Sequence, residues 1–327
     1  MHHAAEATAV EVRAVGEFAL IDAVTRGLPA TPDVLLGPGD DAAVVAAPDG
    51  RVVVTTDVLV ETVHFRREWS TAYDVGRKAA AQNLADVAAM GARPTSLVVG
   101  LAVPPNLPVS WVTDLGRGLR DEGGRAGAAV VGGDMTRASQ IVVAVTALGD
   151  LEGREPVRRS GARPGDLVVV AGRLGRSAAG FALHRVGDEG LLVAYEPLVA
   201  LHRVPDPPYA AGPALARAGA HALIDTSDGL LQDVGHVAEA SGVRVELDPD
   251  ALAADVAALA ECAADLGADP WEWVLAGGED HALAGTVGDE CALPPGVRII
   301  GRVVAGQPEV LVRGHRLPAE RGWDSYR

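Results

Sequence analysis

Lysine is almost missing. Of the 28 basic residues in this chain of 327, one, Lys78, is a lysine, so a lysine cradle for phosphate or a Schiff-base mechanism has little to draw on. The stretch Gly-x-x-x-x-Gly-Lys-[Ser/Thr] is absent, as is the catalytic loop of protein kinases, which removes both standard phosphoryl-transfer scaffolds. Cysteine is scarce. Cys262 and Cys291 form no Cys-x-x-Cys pair, which fits a reducing compartment and argues against zinc. Positive charge is outweighed: the formal net charge of −16 repels nucleic acid and acidic membrane surfaces, so neither is expected as a partner. Long hydrophobic runs are lacking too. The longest, near residues 97–113, is interrupted by Pro104, Pro105 and Pro108, and Glu6, Glu11 and Arg13 break up any secretory leader. The expectation is a cytoplasmic protein.

What remains is a globular composition, 48% hydrophobic, long enough for two domains with separate cores. The glycine, proline and charge content of residues 153–165 reads as a linker, dividing the chain into domains 1–152 and 153–327. Strand-like and helix-like patterns alternate along both halves, the sign of an α/β (α+β) fold.

Several carboxylates stand where the pattern does not ask for them. Asp86 is the one carboxylate in the alanine-rich, helix-favouring stretch 82–94, mid-helix and too late to be a cap. An isolated acid there is either solvent-facing or a ligand for a cation, since burying it unpaired is costly. Elsewhere a repeated device delivers acids from apolar strands. Residues 51–58 read as a strand ending in Thr55, Thr56 and Asp57, and residues 128–131 as a strand running into a tight Gly132-Gly133-Asp134 turn. Ala222-Leu-Ile-Asp-Thr-Ser-Asp-Gly229 places Asp225, Ser227 and Asp228 between a strand and a helix, where Ser227 or Asp228 also suits an N-cap. Gly277-Gly278-Glu279-Asp280 precedes another strand, and Gly39-Asp40-Asp41 follows a glycine-rich turn. That turn mimics a dinucleotide fingerprint, yet Pro38 lacks an N–H and two acids would stand where pyrophosphate lies. Residues 197–213, rich in proline, read as a connection or short-helix region outside the core, and 251–266 as a helical stretch. Carboxylate and threonine oxygens are hard ligands of the kind Mg²⁺ accepts, and Mg²⁺ commonly bridges a few carboxylates to substrate phosphates. The constellation therefore points to ATP or a similar nucleotide.

In order along the chain, Gly39-Asp-Asp-Ala-Ala43, Thr55-Thr-Asp57, His64-Phe65, Asn83-Leu-Ala-Asp-Val-Ala-Ala-Met-Gly91, Gly132-Gly-Asp134, Arg159-Ser-Gly-Ala162, Asp225-Thr-Ser-Asp-Gly229 and Gly278-Glu-Asp280 resemble the thiamine-monophosphate kinase family. The resemblance implies a two-domain fold like that of aminoimidazole ribonucleotide synthetase. Its N-terminal mixed sheet would form a homodimer, a C-terminal α/β domain would follow, and ATP would lie at the domain junction. Matched motif by motif, it implies several Mg²⁺ ions on Asp41, Thr55, Thr56, Asp57, Asp86, Asp134, Asp225 and Asp228, with Asp86, Asp134 and Asp228 central to catalysis. It further implies ATP contacts from Arg159, Ser227, Gly133 and Lys78, and thiamine monophosphate contacts from His64, Glu279 and Trp323. The implied reaction moves the γ-phosphoryl group of ATP onto the phosphate of thiamine monophosphate.

The chain departs from the family's usual pattern at Met135 (threonine), Ala85 (serine), His281 (tyrosine) and the tail Trp323-Asp-Ser-Tyr326 (His-Phe); no matched carboxylate is lost. Related activities fit less well. Asp57 is followed by Val-Leu-Val-Glu where the synthetase would have Gly-Thr-Lys, and no cysteine stands near the amino terminus as selenophosphate synthesis would need. Tyr326-Arg327 does not resemble the cysteine tail of a hydrogenase-maturation relative. A non-catalytic nucleotide or divalent-metal binding protein is the alternative from another class.

Overall fold

The structure, a computed structural model, describes residues 10–15, 17–27, 31–37, 43–314, 318 and 322. The first half contains α1 (Val12–Val15), α2 (Glu17–Thr25), β1 (Val34–Leu36), β2 (Val44–Val45), β3 (Val53–Val60), α3 (Ala72–Ala89), β4 (Arg93–Val103), α4 (Val109–Ala126), β5 (Ala129–Arg137) and β6 (Val142–Asp150). The second contains β7 (Leu167–Ala171), α5 (Arg176–Val186), α6 (Glu189–Ala194), α7 (Glu196–Arg203), α8 (Ala211–Arg217), β8 (Ala222–Asp225), α9 (Leu230–Ser241), β9 (Arg244–Leu247), α10 (Pro249–Ala257), α11 (Ala260–Leu266), α12 (Pro270–Ala276), β10 (Leu283–Val287), β11 (Val297–Val304) and β12 (Glu309–Val312).

Two compact units emerge from the internal contacts. One gathers Met1–Ala46, Thr56–Ala80 and Thr95–Ala147, and the other Ala47–Thr55, Ala81–Pro94 and Leu148–Arg327. Two segments from the N-terminal half, carrying Thr55 and Asp86, thus group with the C-terminal half.

Strands β3, β6, β4 and β5 form a four-stranded sheet in that order, with β4 and β5 parallel. The second unit holds a six-stranded sheet in the order β12-β9-β11-β7-β10-β8, antiparallel except for β12 beside β9. Its central strands β7 and β10 are buried along their whole length, because both faces are covered. Val168 and Val170 of β7 point into a core shared with α5, α7, α9 and α12, while Leu167 and Val169 point to a second core with Leu215 of α8. Ala88 and Ala89, at the end of α3, pack with Ala171 and Leu283 of this sheet. The helix that bears Asp86 is thereby seated on it.

Four expectations are corrected. Residues 132–134 are not a turn: β5 runs through them to Arg137, with a bulge opposite Leu97 and Val98. Gly133 is needed there because a Cβ would lie 2.1 Å from the carbonyl oxygen of Val99 on the adjacent strand. Likewise Thr55, Thr56 and Asp57 lie inside β3, which the β-favouring run Val58-Leu59-Val60 extends. Residues 197–213 do carry short helices, but not outside the core, since α7 buries Leu198 and Val199 in the main core of the second unit. The stretch 251–266 is two helices, α10 and α11, broken at Ala258 and Leu259.

Candidate active site

Within the second unit, two loops that end at neighbouring strands are joined backbone to backbone. Glu279 N donates to Ser227 O at 2.7 Å, His281 N to Thr226 O at 3.0 Å, and Thr226 N to Ala282 O at 2.8 Å. Glycine makes this approach possible: a Cβ on Gly278 would meet Ser227 O at 2.7 Å, and one on Gly229 would meet Ala276 O at the same distance. The result sets Asp225, Ser227 and Asp228 beside Glu279 and His281 at the end of β8 and the start of β10.

Asp225 is buried and its Oδ2 lies 3.0 Å from His281 Nδ1. Burial works against a charged ring at His281, but the hydrogen bond and charge of Asp225, with further attraction from Glu279 and Asp86, raise its pKa overall. The influence of Asp86 shows that α3 brings its carboxylate into this neighbourhood. Asp86 is half-buried and accepts a hydrogen bond from Thr55 Oγ1 at 2.8 Å. Asp228, half-buried, accepts from Gln232 Nε2 at 3.1 Å, and burial pushes its pKa up, with the charge of Asp225 adding to the shift.

The N-cap of α9 is Gly229, with no side-chain capping bond, so neither Ser227 nor Asp228 fills the role the pattern allowed. Asp233, in the first turn, does so instead: its Oδ2 accepts from Asp228 N at 3.1 Å and Gly229 N at 3.0 Å. Burial, together with the charges of Asp225 and Asp228, pushes Asp233 up to about 8. Sequence reasoning passed over Asp233. A glycine N-cap followed by an acid in the first turn was the available signal.

Asp280, singled out with its glycine turn but given no role there, is buried and caps α5, accepting from Gly175 N and, at 2.9 Å, from Ser177 N. Burial pushes its pKa up to about 7 from an ordinary 3.8, against the pull of those amides. A raised folded pKa means that its stabilising contribution is complete below about pH 4 and is lost as pH climbs through about 7. Asp280→Asn removes that titration. The melting-temperature advantage of the wild type over the variant should therefore shrink between about pH 5 and about pH 8, and a gap that widens toward pH 8 would contradict the assignment.

The first unit carries the other expected residues. Asp57 lies half-buried on β3, and Asp134 is exposed on β5. Because successive side chains of a strand alternate, Thr56 lies on the face opposite Thr55 and Asp57, where its Oγ1 donates to Val145 O at 3.0 Å. His64 is oriented through Nδ1, which accepts from Val60 N at 3.0 Å. Lys78 is 2% exposed, and its Nζ donates to His64 O at 3.2 Å. Arg159, in the second unit, is exposed on a single turn, Arg159–Gly161, whose carbonyl at Arg159 accepts from Ser241 Oγ at 2.8 Å. Asp41 and Trp323 lie outside the described residues.

Among the described residues no three His, Cys, Asp or Glu side chains form a ready-made metal cage. The donors present, carboxylate and hydroxyl oxygens, suit Mg²⁺, which takes one or two carboxylates and completes its shell with water and phosphate. Burial is the main cause of the upward shifts of Asp228 and Asp233, and neighbouring carboxylates add to both; a divalent cation would offset that added repulsion. No helix among the described residues is long and apolar enough to cross a membrane.

Comparison with known proteins bears on this arrangement. Residues 39–151 match the family model of AIR synthase related protein, N-terminal domain, and residues 163–313 match that of its C-terminal domain. The thiamine-monophosphate kinase of Mycobacterium tuberculosis is 54% identical over 313 residues, 95% of this chain and 92% of that protein. The crystal structure of thiamine-monophosphate kinase from Stenotrophomonas maltophilia K279a has a TM-score of 0.77 at 36% identity, covering 92% of this chain and 98% of that one. The structure of AaThiL complexed with AMPPCP and TMP has a TM-score of 0.75 at 30% identity, covering 97% and 99%.

Proposed function

The chain belongs to the AIR synthase related family, and from its thiamine-monophosphate kinase relatives we infer that it transfers the γ-phosphoryl group of ATP to thiamine monophosphate, giving thiamine diphosphate and ADP. An oxygen of the thiamine monophosphate phosphate forms the new bond to the γ-phosphorus, and the bond from that phosphorus to the β,γ-bridging oxygen breaks. The observation that carries this reading is the joining of the Asp225–Gly229 and Gly277–His281 loops, which sets metal-suited carboxylates beside Glu279.

We propose that Thr55, Asp86, Asp225 and Asp228 hold Mg²⁺, with Asp41, Asp57 and Asp134 as further ligands; Thr56 is left out of this set because its hydroxyl lies on the other face of β3 and donates to Val145 O. When bound, the cation neutralises phosphate charge. The chain's own contribution is placement. Thr55 orients Asp86, His281 orients Asp225, and Asp233 holds the Asp228 turn. Ser227 and Arg159 face the nucleotide, as do Gly133 and Lys78, while His64, Glu279 and Trp323 face thiamine monophosphate. No side-chain nucleophile is required, because positioning and charge stabilisation account for most of such a transfer. Incubation with ATP, Mg²⁺ and thiamine monophosphate should yield thiamine diphosphate, and ATP turnover without that product would overturn the assignment.

With carboxylates outnumbering Arg159 and Lys78 as proposed phosphate neighbours, ATP should bind only weakly when divalent metal is withheld. Titration calorimetry in excess EDTA checks this; micromolar affinity there would mean that basic side chains receive the phosphates.

We keep the division at 152/153 as the domain boundary, which the extents of the two family-model matches support. We place the protein in the cytoplasm and propose a homodimer. The support for the dimer is an apolar sheet face: Val54, Val58 and Val98 are 63%, 44% and 38% exposed. Light scattering at about 10 µM, a range suited to moderate affinity, should return the dimer mass, and a strictly monomeric mass would contradict the proposal.

A further inference from the structure

Glu279 stands in a backbone conformation that side chains seldom adopt. Its φ is +63°, and that of His281 is +51°. Such residues persist where surrounding contacts over-determine them, most often at sites of function. Asp280, between them, is fastened to the N-terminus of α5 through Ser177 N. From the same residue, Ser177 Oγ lies 3.1 Å from Nδ1 of His202 on α7, and that nitrogen lies 3.4 Å from Oε2 of Glu279. Asp280, Ser177, His202 and Glu279 therefore form a closed circuit that begins and ends on adjacent residues. Phe181 and His184 of α5 flank the imidazole at ring-centroid distances of 5.4 Å and 5.9 Å, fixing its plane.

We propose that His202, held by Ser177, is a positioning residue that sets the carboxylate of Glu279 for recognition of the cationic thiazolium end of thiamine monophosphate. The proposal rests on the reading that Glu279 faces that substrate. The side chain of His202 is 9% exposed and that of Glu279 is 36% exposed, so the imidazole stands behind the carboxylate while the carboxylate remains open to a ligand. A fixed carboxylate attracts a permanent cation without itself moving on binding, which limits the ordering cost of association. The geometry also excludes a hydrolase-type relay. Serine and glutamate meet the same ring nitrogen, whereas a relay needs one on each nitrogen of the ring.

Steady-state kinetics on the full chain with both substrates tests this. His202→Leu should raise KM for thiamine monophosphate by about tenfold, with kcat and KM for ATP changed by no more than about twofold. His202→Asn, whose amide nitrogen can occupy the place of Nδ1, should restore most of the loss. In a Glu279→Gln background His202→Leu should add nothing, because its effect runs through Glu279. If Glu279→Gln itself leaves KM for thiamine monophosphate unchanged, the reading of Glu279 fails and the proposal with it. If Glu279→Gln raises KM and His202→Leu does not, the positioning role alone is overturned. Equal losses for both substrates with a depressed melting temperature would reduce His202 to a core residue and overturn the proposal as well. Should His202→Leu not fold, the comparison of His202→Asn with His202→Gln decides, since only Asn places a nitrogen at the Nδ1 position. Equal KM values for those two variants overturn the proposal.

Discussion

Asp86→Asn is expected to lose on the order of a thousandfold in turnover while the chain stays folded. The substitution is nearly isosteric, and Asn Oδ1 can still accept the hydroxyl of Thr55, now made to Asp86 at 2.8 Å. Its fully buried neighbours Ala85, Val87 and Ala88 continue to pack as before. What disappears is one negative charge at a site where a divalent cation and a triphosphate must be held together. Charge placed in advance where it is needed contributes far more to such a reaction than a neutral oxygen in the same position. Circular dichroism and a melting curve report on the fold, and product formation from thiamine monophosphate reports on turnover. A variant that melts many degrees lower would make Asp86 a structural residue, and one with near-normal turnover would remove it from the catalytic set.

Gly212→Ala is expected to destabilise the second unit by about 3 kcal/mol or more. On an exposed helix the same change would stabilise by about 1 kcal/mol, because alanine loses less backbone freedom than glycine. Gly212 lies in α8, but a Cβ there would stand 1.9 Å from the carbonyl oxygen of Ala88 and 2.6 Å from its carbonyl carbon. Both are backbone atoms of α3, so no side-chain rotation relieves the overlap. Either α8 or the end of α3 must move. Ala88 is two residues beyond Asp86, and a shift of α3 also displaces that carboxylate from Thr55. The variant should therefore lose turnover along with stability, in contrast to Asp86→Asn, which loses turnover alone. Urea unfolding at fixed pH measures the first effect. A stabilised Gly212→Ala would show that α8 and α3 do not meet as closely as their backbones indicate.

The two variants separate what could be read from residues in order from what could not. The acids at Asp57, Asp86, Asp134, Asp225 and Asp228 stand out in the sequence as candidates, because each stands in an apolar or glycine-rich context that gives no local reason for a carboxylate. The two-domain α/β plan was legible for a similar reason: hydrophobic periodicity is a property of neighbours in sequence. Strand ends were not, as at Thr55-Thr-Asp57 and Gly132-Gly-Asp134, because strand length is set by the partner strand, and the partner is remote in the chain. The role of Gly212 was hidden by the same cause, since the atom that forbids a side chain there belongs to residue 88.

Chemistry-bearing residue types were thus determined by the sequence alone, and so was the hard-oxygen character that suits Mg²⁺. Tertiary structure decided which of them face one another. It made caps of Asp233, which sequence reasoning passes over, and of Asp280, which its glycine turn presents without a role, placed His281 on Asp225, and brought His202 of α7 and Ser177 of α5 to Glu279. The physical reason is that burial and proximity govern both the pKa shifts and the hydrogen bonds of these groups, and neither is a local property of the chain.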